Sequence, residues 1–265
     1  MAKSISIVIP AHNEARYIGT CLDAIARQTV MPDEVIVVDN NSTDSTVEIA
    51  RSYGFVTVIH ESRQGIVFAR NAGFDAVQSD IIGRIDADTR LAEDWVERTL
   101  AAFDDDAVAA VTGKCYFYDT PFRQIASRSQ AWMYHYVQKW IAGTQVLWGS
   151  NMAVRRSAWQ RVRAVSDTAP HLDEDIMLSF ALRDEPLQIV RRLDMVADVS
   201  MRRGSLGPIE VYRYLRSWPD DFAAHGMRFR SLLIWCLMPT SILGAVFIGM
   251  ACYVTGYSAT RRRHH

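Results

Sequence analysis

Four short apolar runs, each ending in polar or acidic residues, constrain this chain more than any other feature. Ile5-Ser6-Ile7-Val8-Ile9 closes at Pro10 and passes into His12-Asn13-Glu14. Glu34-Val35-Ile36-Val37-Val38 ends at Asp39, and Asp80–Ile85 ends in Asp86-Ala87-Asp88, with Val56–His60 between them. Leu22, Ile25 and Ala26 recur at helical spacing after the first run. The turn-forming stretch Asn40-Asn41-Ser42-Thr43-Asp44 predicts a helix starting near Thr43, and a further helix is expected from about Gly65 to Val77. β-branched runs without an apolar/polar alternation read as strands buried on both faces. Separated by helices, they imply an α/β fold with a mostly parallel central sheet flanked by helices.

The second half is less regular. Val108–Phe117 reads as a strand, Pro121–Ile141 as a long aromatic-rich helix, and Leu147–Val154 as extended. Asp173–Leu182 reads as helical, Ile189–Val199 as a strand, and Pro208–Ala224 as an amphipathic helix. From Ser231 to Thr260 no residue is charged, and Leu232–Val254 is almost continuously apolar. As a helix that stretch would reach roughly 34 Å, against a hydrocarbon core of about 30 Å. The expected organisation is a catalytic domain over 1–227, a transmembrane or membrane-anchoring segment over 228–260, and a basic tail over 261–265. Pro239 would kink the segment, which leaves an in-plane or re-entrant course open. Gly244 and Gly249 leave room for helix–helix contact and thus for a homo-oligomer.

Charge and cysteine usage exclude other classes. The 29 basic and 30 acidic residues give no basic excess, so no nucleic-acid partner is expected. Cys21, Cys115, Cys236 and Cys252 show no CxxC spacing, which argues against a zinc site or a disulfide framework. No signal-peptide pattern precedes the first strand, so the catalytic part is expected on the cytoplasmic side of the cell membrane.

In an open parallel sheet, ligands bind beyond the carboxyl ends of the strands, where Asn13, Glu14, Asp39, Asp86 and Asp88 fall. Neither GxGxxG nor GxxxxGK[ST] is present. The rim therefore offers carboxylates instead of a glycine cradle, and a divalent cation must meet any phosphate there.

On these motifs the chain resembles glycosyltransferase family 2, whose members adopt the GT-A fold, as a membrane-associated, bacterial-type member. The resemblance runs over roughly residues 4–200 and rests on Ile7–Glu14, Val37–Asp44, and Gly65 with Ala69-Arg70-Asn71. It continues through Asp86-Ala87-Asp88-Thr89, Gly149–Arg156 and Glu174-Asp175. It implies inverting, metal-dependent transfer of a hexose from a nucleoside-diphosphate sugar. Pro10, Ala11 and Glu14 would line the nucleotide pocket, Asp39 would accept from the base, and Arg70 would face base and diphosphate. Asp86 and Asp88 would form the metal-binding DxD pair for Mn²⁺ or Mg²⁺, with Asp86 also near the ribose.

Asp175 would be the general base beside Glu174, and Gly149-Ser150-Asn151 would close around donor sugar and acceptor. Trp148 would stack on a sugar or pack in the core, His171 would be an extra metal ligand or a packing residue, and Arg202-Arg203-Gly204 would bring charge to the diphosphate or form a solvated turn. The QxxRW motif of processive members is missing, with Tyr214–Trp218 in its place, so polymer synthesis is not expected.

A UDP-sugar is favoured as donor, and a GDP-sugar is compatible. The expected acceptor is a hydroxyl on a membrane lipid or lipid-linked glycan, because a general base is present. A polyprenyl phosphate, already ionised, is the alternative. Outside glycosyl transfer, a nucleotidyltransferase would need a glycine-rich basic loop after the first strand. A non-catalytic sugar-nucleotide binding module is the remaining reading.

Overall fold

A computed structural model describes residues 3–120, 123–132, 136, 139–164, 173–200 and 217–236. The first half runs β1 (Ile5–Ala11), α1 (Ile18–Ala26), β2 (Glu34–Asp39), α2 (Thr46–Arg51), β3 (Val56–His60), α3 (Ile66–Ala76) and β4 (Ile81–Arg84). β5 (Arg90–Leu91), α4 (Trp95–Ala102), β6 (Val108–Phe117), α5 (Arg123–Trp132) and α6 (Lys139–Ala142) follow. A 3-10 turn over Gly149–Asn151 leads into β7 (Met152–Arg155), α7 (Arg156–Val162), α8 (Glu174–Asp184) and β8 (Gln188–Val199). The last named helix is α9 (Ser217–Ala224), and residues 228–236 are also helical.

One eight-stranded sheet has the order β3-β2-β1-β4-β7-β6-β8-β5. β1 pairs in parallel with β2 and β4, and β2 with β3. β7 joins antiparallel to β4 and β6, and β5 antiparallel to β8. The chain steps from β1 outward to β3, then returns to place β4 on the other side of β1. The strand order thus reverses between β1 and β4, and open α/β sheets bind ligands beyond the carboxyl ends of the strands at such a point.

Both faces of β1, β2 and β4 are buried, as the runs predicted, whereas β3 at the sheet edge is half-buried with Thr57 and His60 exposed. Ile5, Ile7 and Ile9 of β1 pack on one face with Ile18, Leu22 and Ile25 of α1 and Trp95 of α4. Val8 packs on the other with Ile36, Val38, Ala69 and Phe74. Each of these Val, Leu, Ile and Phe side chains contributes about 1.5–3 kcal/mol on burial. α3 lies so close to the sheet that a Cβ on Gly73 would come within 2.9 Å of Val38 Cγ2 and closer still to Val8.

Two local expectations change. The second helix starts at Thr46, not near Thr43, because Asn41 takes φ 63° and the residues after it are engaged with neighbouring loops. The stretch expected to be extended over Leu147–Val154 instead contains the 3-10 turn before β7. Within Pro121–Ile141 the described helical pieces are α5 and α6.

The chain forms two compact units: residues 1–115 with 144–198, and residues 116–143 with 199–265. Among the described residues no helix is long and apolar enough to cross a membrane. The apolar segment lies outside the described residues from position 237 onward, as do His171, Arg202–Gly204, Tyr214–Arg216, Gly244, Gly249 and the basic tail.

Candidate active site

All the site residues below belong to the first unit. At the end of β1 the chain turns through Asn13, whose φ of 55° an asparagine tolerates better than most residues. Asn13 Oδ1 accepts from Thr43 N–H at 2.8 Å, and Ser42 Oγ accepts from Asn13 N–H at 3.1 Å. Glu14 N–H donates to Thr46 Oγ1 at 2.8 Å. The loops after β1 and β2 are thereby fastened together. Asn40 fastens the next pair: its amide donates to the carbonyls of Glu61 at 2.8 Å and Arg63 at 2.7 Å, and its Oδ1 accepts from Gly65 N–H at 2.8 Å.

Asp39 ends β2 almost buried. Its Oδ1 accepts from Ser42 N–H at 2.9 Å, and His60 Nδ1 lies 3.0 Å from its Oδ2. Burial pushes this carboxyl up, but the hydrogen bonds from Ser42 and His60 outweigh burial and hold it below its ordinary value. Pro10 and Ala11 are buried in β1, and Glu14 is half-buried at its exit. These residues share one rim.

Beyond β4 a charged cluster forms. Arg84 is buried, and its Nη2 donates to Glu174 Oε1 and lies 3.1 Å from Asp86 Oδ1, while its Nη1 is 4.0 Å from Asp175 Oδ1. Arg70 Nε lies 3.8 Å from Glu174 Oε2 and donates to Asn71 Oδ1 at 2.7 Å. The Arg70 guanidinium also sits 5.4 Å from the Trp159 ring centre. Arg70 is 1% exposed, so it lies behind the rim and braces Glu174. Burial, the largest effect, pulls its own pKa down.

Ser150 Oγ donates to Asp86 Oδ2, and Gly149 N–H donates to Asp175 Oδ2 at 2.6 Å. The 3-10 turn is thus tied to both β4 and α8. A Cβ on Gly149 would collide with the Arg84 guanidinium and lie 2.5 Å from Asp175 Oδ2, so no other residue fits there without displacement. α8 is capped by Asp173, whose side chain accepts from Asp175 and Ile176 N–H.

Glu174 and Asp175 are both held above the ordinary carboxyl range. Burial is the main cause for each. Arg84 opposes it, while Asp175 acts on Glu174, and Asp86 on both, in the same direction as burial. Glu174 Oε2 and Asp175 Oδ1 are buried atoms without a hydrogen-bond partner.

The structure therefore brings Asp86, Ser150, Gly149, Glu174 and Asp175 together, with Asp88 two residues along the same loop. Asn151 faces elsewhere. Its amide donates to the carbonyls of Lys114 and Met195 at 3.0 Å each, and its Oδ1 accepts from Trp95 Nε1 at 2.7 Å. Trp148 is half-buried, and its N–H donates to Thr112 Oγ1 at 3.2 Å.

Arg84 and His60 were not singled out from the sequence. A signal for Arg84 existed: an arginine inside an otherwise apolar parallel strand, two residues before the DxD pair, must be buried and needs a carboxylate partner.

The donor set at the end of β4 fits a small divalent cation. Asp86 and Asp88 supply hard oxygens, which Mg²⁺ and Mn²⁺ prefer. Among the described residues no group of three or more His, Cys, Asp or Glu surrounds a common point. A cation here would draw its remaining ligands from water and from substrate phosphates.

A family model described as Glycosyl transferase family 2 matches residues 6–163. Glycosyltransferase AglE of Haloferax volcanii is 35% identical over 120 residues, which is 43% of this chain and 40% of AglE. Putative glycosyltransferase EpsH of Bacillus subtilis is 27% identical over 191 residues, or 69% of this chain and 52% of EpsH. The chain thus spans about half the length or less of these curated relatives.

Among solved structures, mannosyltransferase PcManGT from Pyrobaculum calidifontis in complex with GDP-Man and Mn²⁺ superposes with a TM-score of 0.71 at 20% identity, covering 96% of this chain and 76% of that one. S. aureus TarS 1-349 in complex with UDP-GlcNAc gives 0.58 at 18% identity, covering 83% and 66%. At these identities the likeness is one of fold, the GT-A-like α/β arrangement.

Proposed function

We propose that this chain, which belongs to glycosyl transferase family 2, transfers a hexose with inversion from a nucleoside-diphosphate sugar to a hydroxyl of a membrane lipid or lipid-linked glycan. The observation that carries this reading is the Asp175 carboxylate. Its Oδ2 is fixed by Gly149 N–H, while its Oδ1 has no hydrogen-bond partner, beside the loop that holds Asp86.

The nucleotide would lie along the rim from Asp39 to Asp86, with its base at Asp39 and its ribose near Asp86, lined by Pro10, Ala11 and Glu14. Arg70, whose side chain is buried against Glu174, would act behind the diphosphate. Asp88 and Asp86 would hold Mn²⁺ or Mg²⁺, which neutralises the departing diphosphate. As the acceptor oxygen bonds to the anomeric carbon, the bond from that carbon to the diphosphate breaks. The hydroxyl proton passes to Asp175. A buried carboxyl held above its ordinary value is a stronger base for this task. Asp39 could accept from the N3–H of uracil or the N1–H of guanine, so UDP- and GDP-sugars are both compatible, with UDP favoured on family frequency. The neighbours PcManGT, with GDP-Man, and TarS, with UDP-GlcNAc, support this donor class.

A phosphate acceptor would make the base superfluous, which favours a hydroxyl over a polyprenyl phosphate. The apolar stretch Leu232–Val254 supports a membrane anchor, with the catalytic part on its cytoplasmic face.

The test supplies UDP- or GDP-sugar labelled in the hexose, Mn²⁺, and a total membrane-lipid extract as acceptor pool. Label should enter the lipid phase, and mild acid should not release it as the free hexose. Asp175→Asn should lose that transfer yet keep nucleotide binding. Transfer at a comparable rate by the variant would remove Asp175 from the reaction. An acid-labile glycosyl phosphate would assign the acceptor to polyprenyl phosphate. Nucleotide binding without turnover in wild type would leave a binding module.

A further inference from the structure

In the second unit several large apolar side chains point outward, although Phe117 and Phe222 are buried. On α5, Ala126 and Ser127 face inward at 3% and 5% exposure, and Phe117 N–H donates to Ser127 Oγ at 3.2 Å. Ile125 and Trp132, seven residues apart and hence on one face of the helix, are 69% and 60% exposed. α6 repeats the arrangement, with Ile141 and Ala142 buried and Trp140 74% exposed. Soluble domains seldom present several large apolar side chains outward from consecutive helices, and a patch of this kind marks an interaction surface.

The charge on this face selects the partner. Arg123, Arg128 and Lys139 are exposed on α5 and α6, and residues 123–143 contain no Asp or Glu. Tryptophan with basic residues on an exposed helix face matches the boundary between lipid headgroups and acyl chains, where the rings bury and the cations meet anionic phosphates. Helix 228–236, in the same unit, continues the pattern with exposed Phe229, Leu232 and Trp235 and the basic pair Arg228 and Arg230. The two faces adjoin: a Cβ on Gly143, directly after α6, would lie 3.2 Å from Arg230 Nη1.

We propose that α5 and α6 form an in-plane docking face for an anionic lipid bilayer, through Ile125, Trp132 and Trp140 with Arg123, Arg128 and Lys139. The residues of this face lie outside the sequence of the apolar segment 232–254. It would hold the second unit flat on the headgroups, with its apolar side chains about 5–10 Å below the surface.

The full chain, carrying a nitroxide at Ile125→Cys in a Cys236→Ser/Cys252→Ser background, is mixed with phosphatidylcholine vesicles with and without phosphatidylglycerol. On phosphatidylglycerol vesicles the label should become accessible to oxygen and lose access to a water-soluble nickel complex. Arg123→Glu/Arg128→Glu should reverse that change. A label at native Cys236, in a chain that keeps Ile125 and carries only Cys252→Ser, reports the tail separately. A lipid-buried label at 236 with a water-exposed label at 125 would overturn the proposal while leaving the anchor reading intact. The opposite pattern would support the face without the anchor. Shielding at 125 with spin–spin broadening in vesicle-free protein would assign the face to a second copy of the chain and overturn the proposal as well.

Discussion

Replacing Arg84 by methionine tests how the charged cluster is held. The Arg84 side chain is 3% exposed and is the cation that faces Asp86, Glu174 and Asp175 together. Methionine keeps the bulk and removes the charge, leaving three carboxylates and, among the described residues, Arg70 at 3.8 Å from Glu174. Breaking a buried pair by deleting one partner costs about 3–5 kcal/mol. That cost depends on pH in a direction the structure fixes. Burial already holds Glu174 and Asp175 above their ordinary values, and Arg84 acts against it.

In the folded state these groups bind more protons than in the unfolded chain. Their contribution is fully present below the unfolded pKa and is lost as pH rises through the folded one. Without Arg84 the folded pKa values rise further, so the deficit of the variant should be smallest in acid and largest above neutrality. Urea unfolding followed by tryptophan fluorescence at about pH 5 and about pH 8 would measure it, with the slope m unchanged. A loss under about 1 kcal/mol, equal at both pH values, would mean that Arg84 behaves as a surface charge and would refute the reasoning.

Three further outcomes follow from the same geometry. Gly149→Ala should cost about 1–3 kcal/mol, because the new methyl meets the Arg84 guanidinium and the Asp175 carboxylate; an unfolding curve matching wild type would show that the turn moves freely. Trp95→Phe leaves the buried Asn151 Oδ1 without its donor and should cost about 1–3 kcal/mol in thermal unfolding, without altering the stabilisation by nucleotide. A lost nucleotide response would place Asn151 in the donor site after all. Asp39→Ala removes a carboxyl held below its ordinary value, whose contribution is present above the unfolded pKa and fades as pH falls through the folded one. Its deficit should therefore narrow in acid, and a deficit independent of pH would contradict the bonds from Ser42 and His60.

The parallel half of the fold was legible because burial on two faces leaves a mark in composition. Ile5, Ile7 and Ile9 face one layer and Val8 the other, so no polar alternation interrupts the run. The rim carboxylates were legible for a related reason, since each follows the last apolar residue of its strand. What escaped depends on partners distant in sequence. Arg84 reads locally as one charge in a short strand, and its role appears only when α8, about 90 residues later, sets Glu174 against it. The family resemblance set Asn151 in the loop expected around donor sugar and acceptor. Its side chain joins Lys114, Met195 and Trp95, three contacts that no local spacing encodes. The start of α2 moved for the same reason, as the residues near Thr43 serve the loop after β1.

The most direct test of the donor site is a thermal-shift panel of UDP, GDP, CDP and dTDP, each with and without Mn²⁺, on wild type and Asp88→Ala. The account predicts stabilisation by UDP or GDP that requires Mn²⁺ and disappears in Asp88→Ala. Stabilisation by no nucleotide under any condition, or an unchanged Mn²⁺-dependent shift in the variant, would contradict a metal-assisted nucleotide site at the ends of β1, β2 and β4.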